Sequence, residues 1–285
     1  MGDQARYTPK ESVFDGVISW KMVRFKRLFS KPFHDPRMLI DIHCHLTAPE
    51  FEGRVGEIIE ESVKAGVKAI ITSGLGYEDG LKALEISDHR IVYPSLGVSP
   101  YMLEGYEKVI ELISRESRRI VAIGEVGLDY WRVRDDVGRD RQRRVFREFI
   151  ELSKSLDLPL IIHSRSAGKY ALEMLFEMRA ERVIMHAFDG AAKHAVKAVE
   201  RGYMFSIPPS IARSQQKRNL VKRIPLENLL LESDSPALPP VAGRINYPWN
   251  IKVSAEWIGK IKGVSIEKVI EVTGRNAAEI LDLRL

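Results

Sequence analysis

From Met38 onward, short runs of aliphatic and β-branched residues alternate with longer stretches in which apolar residues recur among charges at helical spacing. The first pattern predicts strands and the second amphipathic helices. Strands are predicted at 39–46, 67–75, 91–98, 120–129, 158–165, 182–190, 203–210 and 228–236. Helices are predicted near 54–65, 78–87, 103–117, 138–156, 169–179, 191–201 and 213–222, with three more near 250–262, 265–273 and 275–282. Such alternation is that of βα units around a parallel sheet. Eight strands, each followed by a helix, give the count of an α/β chain folded as a (β/α)8 TIM-type barrel. A doubly wound open sheet is the alternative, and it rarely needs eight such regular units. No linker interrupts the beat, so 38–285 reads as one barrel domain preceded by a short extension, 1–37.

Charge sets the extension apart. Residues 1–37 hold eight Lys/Arg against four Asp/Glu, whereas 38–285 hold 36 against 35, so most of the net charge of +5 lies in the first segment. Its "WKMVRFKRLF" interleaves bases with aromatics, as a membrane-surface or nucleic-acid contact would. An appended helix, or a start codon placed ahead of Met38, are the plainer readings. The body's near neutrality does not by itself point to nucleic acid.

With 45% hydrophobic and 29% charged residues the composition is that of a soluble globular protein. No apolar run approaches the roughly 20 residues that span a bilayer, so no stable membrane association is expected. The single cysteine excludes an internal disulfide framework and suits a reducing cytoplasm. Four Gln and five Asn in the whole chain hint at a hot environment.

The chemistry begins in "LIDIHCHL" (39–46), where strand alternation puts Asp41, His43 and His45 on one face and turns Cys44 toward the helices as a buried spectator. A lone histidine would read as a core residue; two at i and i+2 above a carboxylate fit a metal site better. Two further histidines end predicted strands, His163 on the fifth and His186 on the sixth, and Glu125 and Asp234 end the fourth and eighth. In a barrel of this class all strand C-termini converge on one mouth. Four imidazoles and two carboxylates exceed what one catalytic ion needs, which points to two divalent ions bridged by a central glutamate.

Neighbouring residues extend the picture. Arg165, two past His163, is the first candidate for a substrate phosphate or carboxylate clamp. Lys169, Arg132 and Arg213 could extend an electropositive rim, although each reads more simply as a solvated charge. Tyr130 and Trp131 follow the fourth strand, where an exposed ring could stack on a base and a buried one would pack the loop. Asp41 and Glu232 sit two residues before His43 and Asp234, the usual place for carboxylates that fix an imidazole's tautomer. His34, His89 and His194 end no strand and receive no role.

Taken in order, "DIHCHL", "GEVGLDYW", "IIHSR", "MHAFDG" and "LLLESDSP" resemble the motifs of the TatD-related deoxyribonucleases, in the amidohydrolase-like metal-dependent hydrolase superfamily. The resemblance runs from about Asp41 to the C-terminus. It implies that His43, His45, Glu125 and Asp234 hold one ion and Glu125, His163 and His186 the other. It also implies a cytoplasmic hydrolase of phosphodiester bonds acting on DNA, as single strands or at 3′ ends, in which metal-activated water attacks phosphorus and Glu125 and Asp234 are catalytic. Magnesium is the ion the family implies, while imidazole-rich ligation favours zinc or manganese. Hydrolysis of an ester or amide, as in a D-aminoacyl-tRNA deacylase, is the alternative on the same frame. Two departures stand out: the family's H-C-F-S-G reads His186-Ala187-Phe188-Asp189-Gly190 here, and the extension has no counterpart. An acid at Asp189 would repel a phosphate if it faced the mouth.

Overall fold

The computed structural model describes residues 38–87 and 91–285, so the readings placed on the 1–37 extension, on His34 and on His89 lie outside the described residues. The strands β1 (Leu39–Cys44), β2 (Val67–Leu75), β3 (Val92–Gly97), β4 (Ala122–Gly127), β5 (Leu160–His163), β6 (Val183–Met185), β7 (Met204–Ile207) and β8 (Leu229–Leu231) pair in chain order, each parallel to the next. Between them run α1 (Val55–Lys64), α2 (Tyr77–Ile86), α3 (Tyr106–Glu116), α4 (Asp136–Leu156), α5 (Gly168–Glu177), α6 (Ala192–Val199) and α7 (Gln215–Arg223). Two helices, α8 (Ile251–Lys262) and α9 (Ile266–Ile280), complete the described chain. The fold is a (β/α)8 TIM barrel.

Two cores hold it together. Inside the barrel Ile40, Ile42, Ala69, Ile71, Ala122, Ile161, Ile184 and Leu230 pack on one another. Met38, the α9 residues Ala277 and Ile280, and Leu281 just past that helix join this cluster and plug the end where the strands begin. Strand residues of the other face, such as Leu39, Cys44, Ile123, Ile162 and Phe205, pack against the helices. With the bottom filled, the polar residues at the strands' C-terminal ends have one open mouth.

The pattern misplaces three details. The predicted break between 265–273 and 275–282 does not exist, because α9 runs straight through Gly274. A Cβ at Gly274 would lie 2.2 Å from the Met38 carbonyl oxygen, so glycine there serves the approach of α9 to β1. The strands also stop early. Ala187 and Asp234 adopt left-handed φ values of 36° and 54°, which turn the chain out of the ladder beyond β6 and β8.

The third correction concerns Asp41. Between Asp41 and Cys44 the β1–β2 register slips, so β1 carries an extra residue there. Ile40 and Ile42 face the barrel interior, and Asp41 turns away from the face that His43 takes. Its buried carboxylate instead closes the barrel: Oδ1 accepts from Ser233 N (2.7 Å) and Oδ2 from Ser233 Oγ (2.6 Å). Beside it, Ser235 O accepts from His45 N (2.8 Å) and His43 O accepts from Asp234 N (2.9 Å), completing the seam between β8 and β1. Burial pushes the Asp41 carboxyl up to about 8, although the Ser233 donors pull the other way.

Candidate metal centre

Five strands deliver the six predicted residues to one place. β1 supplies His43 and, just past its end, His45; β4 supplies Glu125, β5 His163, and the turns after β6 and β8 supply His186 and Asp234. β4 slips register at Glu125 as β1 does near His43, and a bulge of this kind re-aims a side chain. Gly127 lets β4 lie against β5, since a Cβ there would come within 2.1 Å of the His163 carbonyl oxygen. Glu125 and His163 therefore meet face to face.

Ligand-capable atoms of His43, His45 and Glu125 lie within 4.8 Å of one another, as do those of His43, His186 and Asp234, and of Glu125, His163 and His186. Glu125 occupies the centre. Its Oε2 lies 3.2 Å from His43 Nε2 and 3.5 Å from His45 Nε2, while Oε1 contacts His163 Nδ1. Asp234 Oδ1 lies 3.5 Å from His43 Nε2, 3.4 Å from His45 Nε2 and 3.9 Å from His186 Nε2. All six side chains are at least four-fifths buried.

The far side of each ring is held. His43 Nδ1 bonds Ser73 Oγ at 3.0 Å, and that hydroxyl bonds Ser95 Oγ at 2.7 Å. His45 Nδ1 donates to the Ser73 carbonyl (3.3 Å). His163 Nε2 donates to Asp129 Oδ2 (3.0 Å) and His186 Nδ1 to Glu232 Oε2 (2.7 Å). Each ring thus turns a nitrogen inward as an acceptor for a cation. Glu232 fixes an imidazole as the sequence predicts; Asp41 does not, and Asp129 takes that part. Asp129 ends the fourth predicted strand, and an acid at the C-terminal end of a barrel strand is a signal that could have found it. Ser73 and Ser95 carry no such signal.

These residues fit a cation. His43 Nε2 and His163 Nδ1 are buried and lack a hydrogen-bond partner among the described residues, although both point at Glu125. Burial opposes ionisation of Glu125, yet His163, His43 and His186 hold it well below the carboxylate range. Asp234 is likewise held low, burial being outweighed by His186, His43 and His45. Burial opposes charge on the imidazoles too, but Asp234 and Glu125 raise His43 to about 10, and Glu125 and Asp129 raise His163 to about 9. Two anionic carboxylates call for positive charge, which protons supply in the bare chain and a divalent ion would supply in their place.

Around the mouth the predicted neighbours divide. Arg165 lies over the ring of Trp131 at 3.7 Å, and that ring is half exposed at 48%. Arg132 lies 4.2 Å over Tyr101. Tyr130 is buried, its hydroxyl accepting from Arg143 and its ring covered by Arg139, so it packs the loop. Lys169 pairs with Glu173, and Arg213 donates to the Pro239 carbonyl. Cys44 is buried among the outer-core residues as expected. Asp189 is engaged: its Oδ2 accepts from Ser166 N (2.7 Å), tying the loop after β6 to the loop after β5. Behind that loop the buried Lys217 donates to the carbonyls of Ala187 (2.6 Å) and Phe188 (2.8 Å), and burial lowers it to about 8.

A barrel carrying four imidazoles and two carboxylates at the C-terminal mouth defines a metal-dependent hydrolase, and comparison with known proteins agrees. Residues 40–282 match the family model described as TatD related DNase. The chain is 42% identical to human deoxyribonuclease TATDN3 over 257 residues, covering 85% of this chain and 94% of that protein. It is 32% identical to the metal-dependent hydrolase MJ1582 of Methanocaldococcus jannaschii, covering 86% and 98%. Among solved structures, the TatD homologue YjjV of Escherichia coli superposes with a TM-score of 0.80 at 27% identity, covering 87% of this chain and 99% of that one. The chain belongs to the TatD-related DNase family.

Proposed function

We propose that this protein is a metal-dependent deoxyribonuclease that works with two divalent cations, one held by His43, His45, Glu125 and Asp234 and the other by Glu125, His163 and His186. The single observation carrying this reading is the position of Glu125, whose two oxygens face different imidazoles, one toward His43 and His45 and the other toward His163. Bound there, the ions would supply Lewis-acid polarisation of a phosphoryl oxygen and a lowered pKa for water. Asp234, ionised and reaching three imidazoles, takes the proton of the attacking water. Arg165 offers its guanidinium to a non-bridging phosphate oxygen, and Trp131 offers a ring face to an unstacked base. Unstacked bases are those of single strands and frayed 3′ ends, which become the preferred substrate. The matching family model and the human relative are named for deoxyribonucleases, so a D-aminoacyl-tRNA deacylase is not favoured.

Imidazole-rich ligation supports zinc or manganese, and magnesium is supported by the family resemblance and the two carboxylates. No helix among the described residues is long and apolar enough to cross a membrane, and the lone cysteine accords with a cytoplasmic setting. Residues 38–285 act as the catalytic domain in this reading and 1–37 as an accessory extension. The test is to strip the protein of metal and incubate it with end-labelled single-stranded DNA and each divalent ion in turn. Ion-dependent cleavage is expected, and its absence with every ion would refute the reading.

A further inference from the structure

The charge of the body is near neutral, but it is not evenly spread. Residues 191–223, which contain α6 and α7, hold eight Lys/Arg and a single acid, Glu200. The rest of 38–285 holds 28 bases against 34 acids, so the segment that contains α6 and α7 is strongly basic and the remainder is acidic. A groove of about 850 Å³ opens in this region, lined at its rim by Lys193 of α6 and Lys222 and Arg223 of α7, with Gln216, Asn219 and Gly190. No carboxylate among the described residues lines it.

The groove's lining includes the end of the loop that carries His186. Gly190 lies four positions past His186, and Gln216 Nε2 donates to the carbonyls of Phe188 (3.1 Å) and Gly190 (2.9 Å) on the same loop. Lys222 and Arg223 stand at the other end of α7, so the basic line leads away from the mouth along the outside of the barrel. Asp189, the nearest acid on that loop, is bonded to the backbone of Ser166. Three exposed cations and the amide of Asn219, with no competing anion among the described residues of the lining, suit a chain of phosphates that no single small ligand would occupy in full.

We infer that the groove between α6 and α7 is a second binding site, a track for the phosphate backbone of a nucleic-acid strand whose end lies in the metal centre. The inference rests on the nuclease reading above. It adds that affinity grows with strand length beyond the few nucleotides the mouth can hold. Lys193, Lys222 and Arg223 contact phosphates there, and the side-chain nitrogen of Asn219 donates to a phosphate or sugar oxygen.

Metal-stripped protein keeps binding apart from cleavage. Its affinity for labelled 4-nucleotide and 20-nucleotide single strands would be followed by fluorescence anisotropy across a range of salt. The triple variant Lys193→Ala, Lys222→Ala, Arg223→Ala should bind the 20-mer about 100-fold more weakly at 0.1 M salt, with the log–log salt slope reduced by about 2. A control triple, Lys64→Ala, Lys154→Ala, Lys268→Ala, removes the same charge from cations paired with Glu61, Glu151 and Glu271. It should leave the 20-mer affinity within about threefold of wild type. An unchanged 20-mer affinity in the groove variant, or an equal loss in the control, would overturn the track. Failure of the nuclease reading shows separately, as wild-type protein that cleaves no DNA with any divalent ion.

Discussion

His186 and Glu232 are bonded across 2.7 Å, and Glu232 also accepts from Ser206 Oγ and from the backbone of Ala187. One carboxylate therefore sets both the ring's tautomer and the path of the turn that carries it. Glu232→Gln puts an amide where three donors converge, so one of them loses its acceptor. The protein should fold, but metal affinity at the His163–His186 position should fall about 10- to 100-fold, the usual weight of such a partner. Calorimetric titration with zinc or manganese would read the loss.

The raised imidazoles and lowered carboxylates give the metal-free protein a defined pH profile. His43 and His163, lifted from 6.5 to about 10 and about 9, contribute stability that is complete below 6.5 and is lost as pH rises through 9 to 10. Glu125 and Asp234, held low, contribute stability present above their ordinary values and lost as pH falls through their lowered ones. The metal-free protein should thus melt at a lower temperature at pH 10 than at pH 7. Divalent ion should restore the loss, because the bound ion replaces the protons. Thermal melts with and without ion at both pH values would check this.

Trp131 and Arg165 form one stacked unit at the rim. If that unit receives an unstacked base and its phosphate, Trp131→Ala should raise KM for single strands by about tenfold, since stacking on an aromatic contributes about 1–3 kcal/mol per base. Arg165→Ala should raise KM and flatten its salt dependence while metal content stays unchanged. Steady-state kinetics on single-stranded and duplex substrates would separate the two contributions.

Barrel closure through Asp41 makes a prediction about stability alone. Asp41→Ala leaves the buried backbone N–H groups of Ser233 and His43 without the Asp41 oxygen they share, at roughly 1–3 kcal/mol for each stranded group, while Ser233 Oγ turns to Ser235 Oγ. Denaturant unfolding should show a loss of about 2–6 kcal/mol, most of it recovered by Asp41→Asn, which keeps one acceptor oxygen. A near-neutral Asp41→Ala would mean that the seam is held by the backbone bonds of His45 and Asp234.

Much of this was legible in the sequence because barrel strands repeat a simple pattern and their C-termini must converge. His43, His45, Glu125, His163, His186 and Asp234 could be placed at one mouth with no knowledge of distances. What strict alternation could not reveal was the pair of register slips in β1 and β4, each an added residue that changes which face a side chain takes. That is why Asp41 was expected beneath an imidazole and instead bridges to β8. Gly274 misled for a related reason: a glycine required for close packing looks, in sequence, like one that ends a helix. Ser73 and Ser95 are ordinary strand residues until the fold sets them behind His43.

The role proposed for Glu125, a carboxylate shared by two ions, is tested most directly by counting ions in Glu125→Ala beside Asp234→Asn. Elemental analysis of Glu125→Ala should find both positions depleted and hydrolysis abolished. Asp234→Asn keeps a ligating oxygen but no useful basicity, so it should retain most of its metal while losing roughly 10²–10⁴-fold in rate. Two ions per chain in Glu125→Ala, or full activity in Asp234→Asn, would contradict the account.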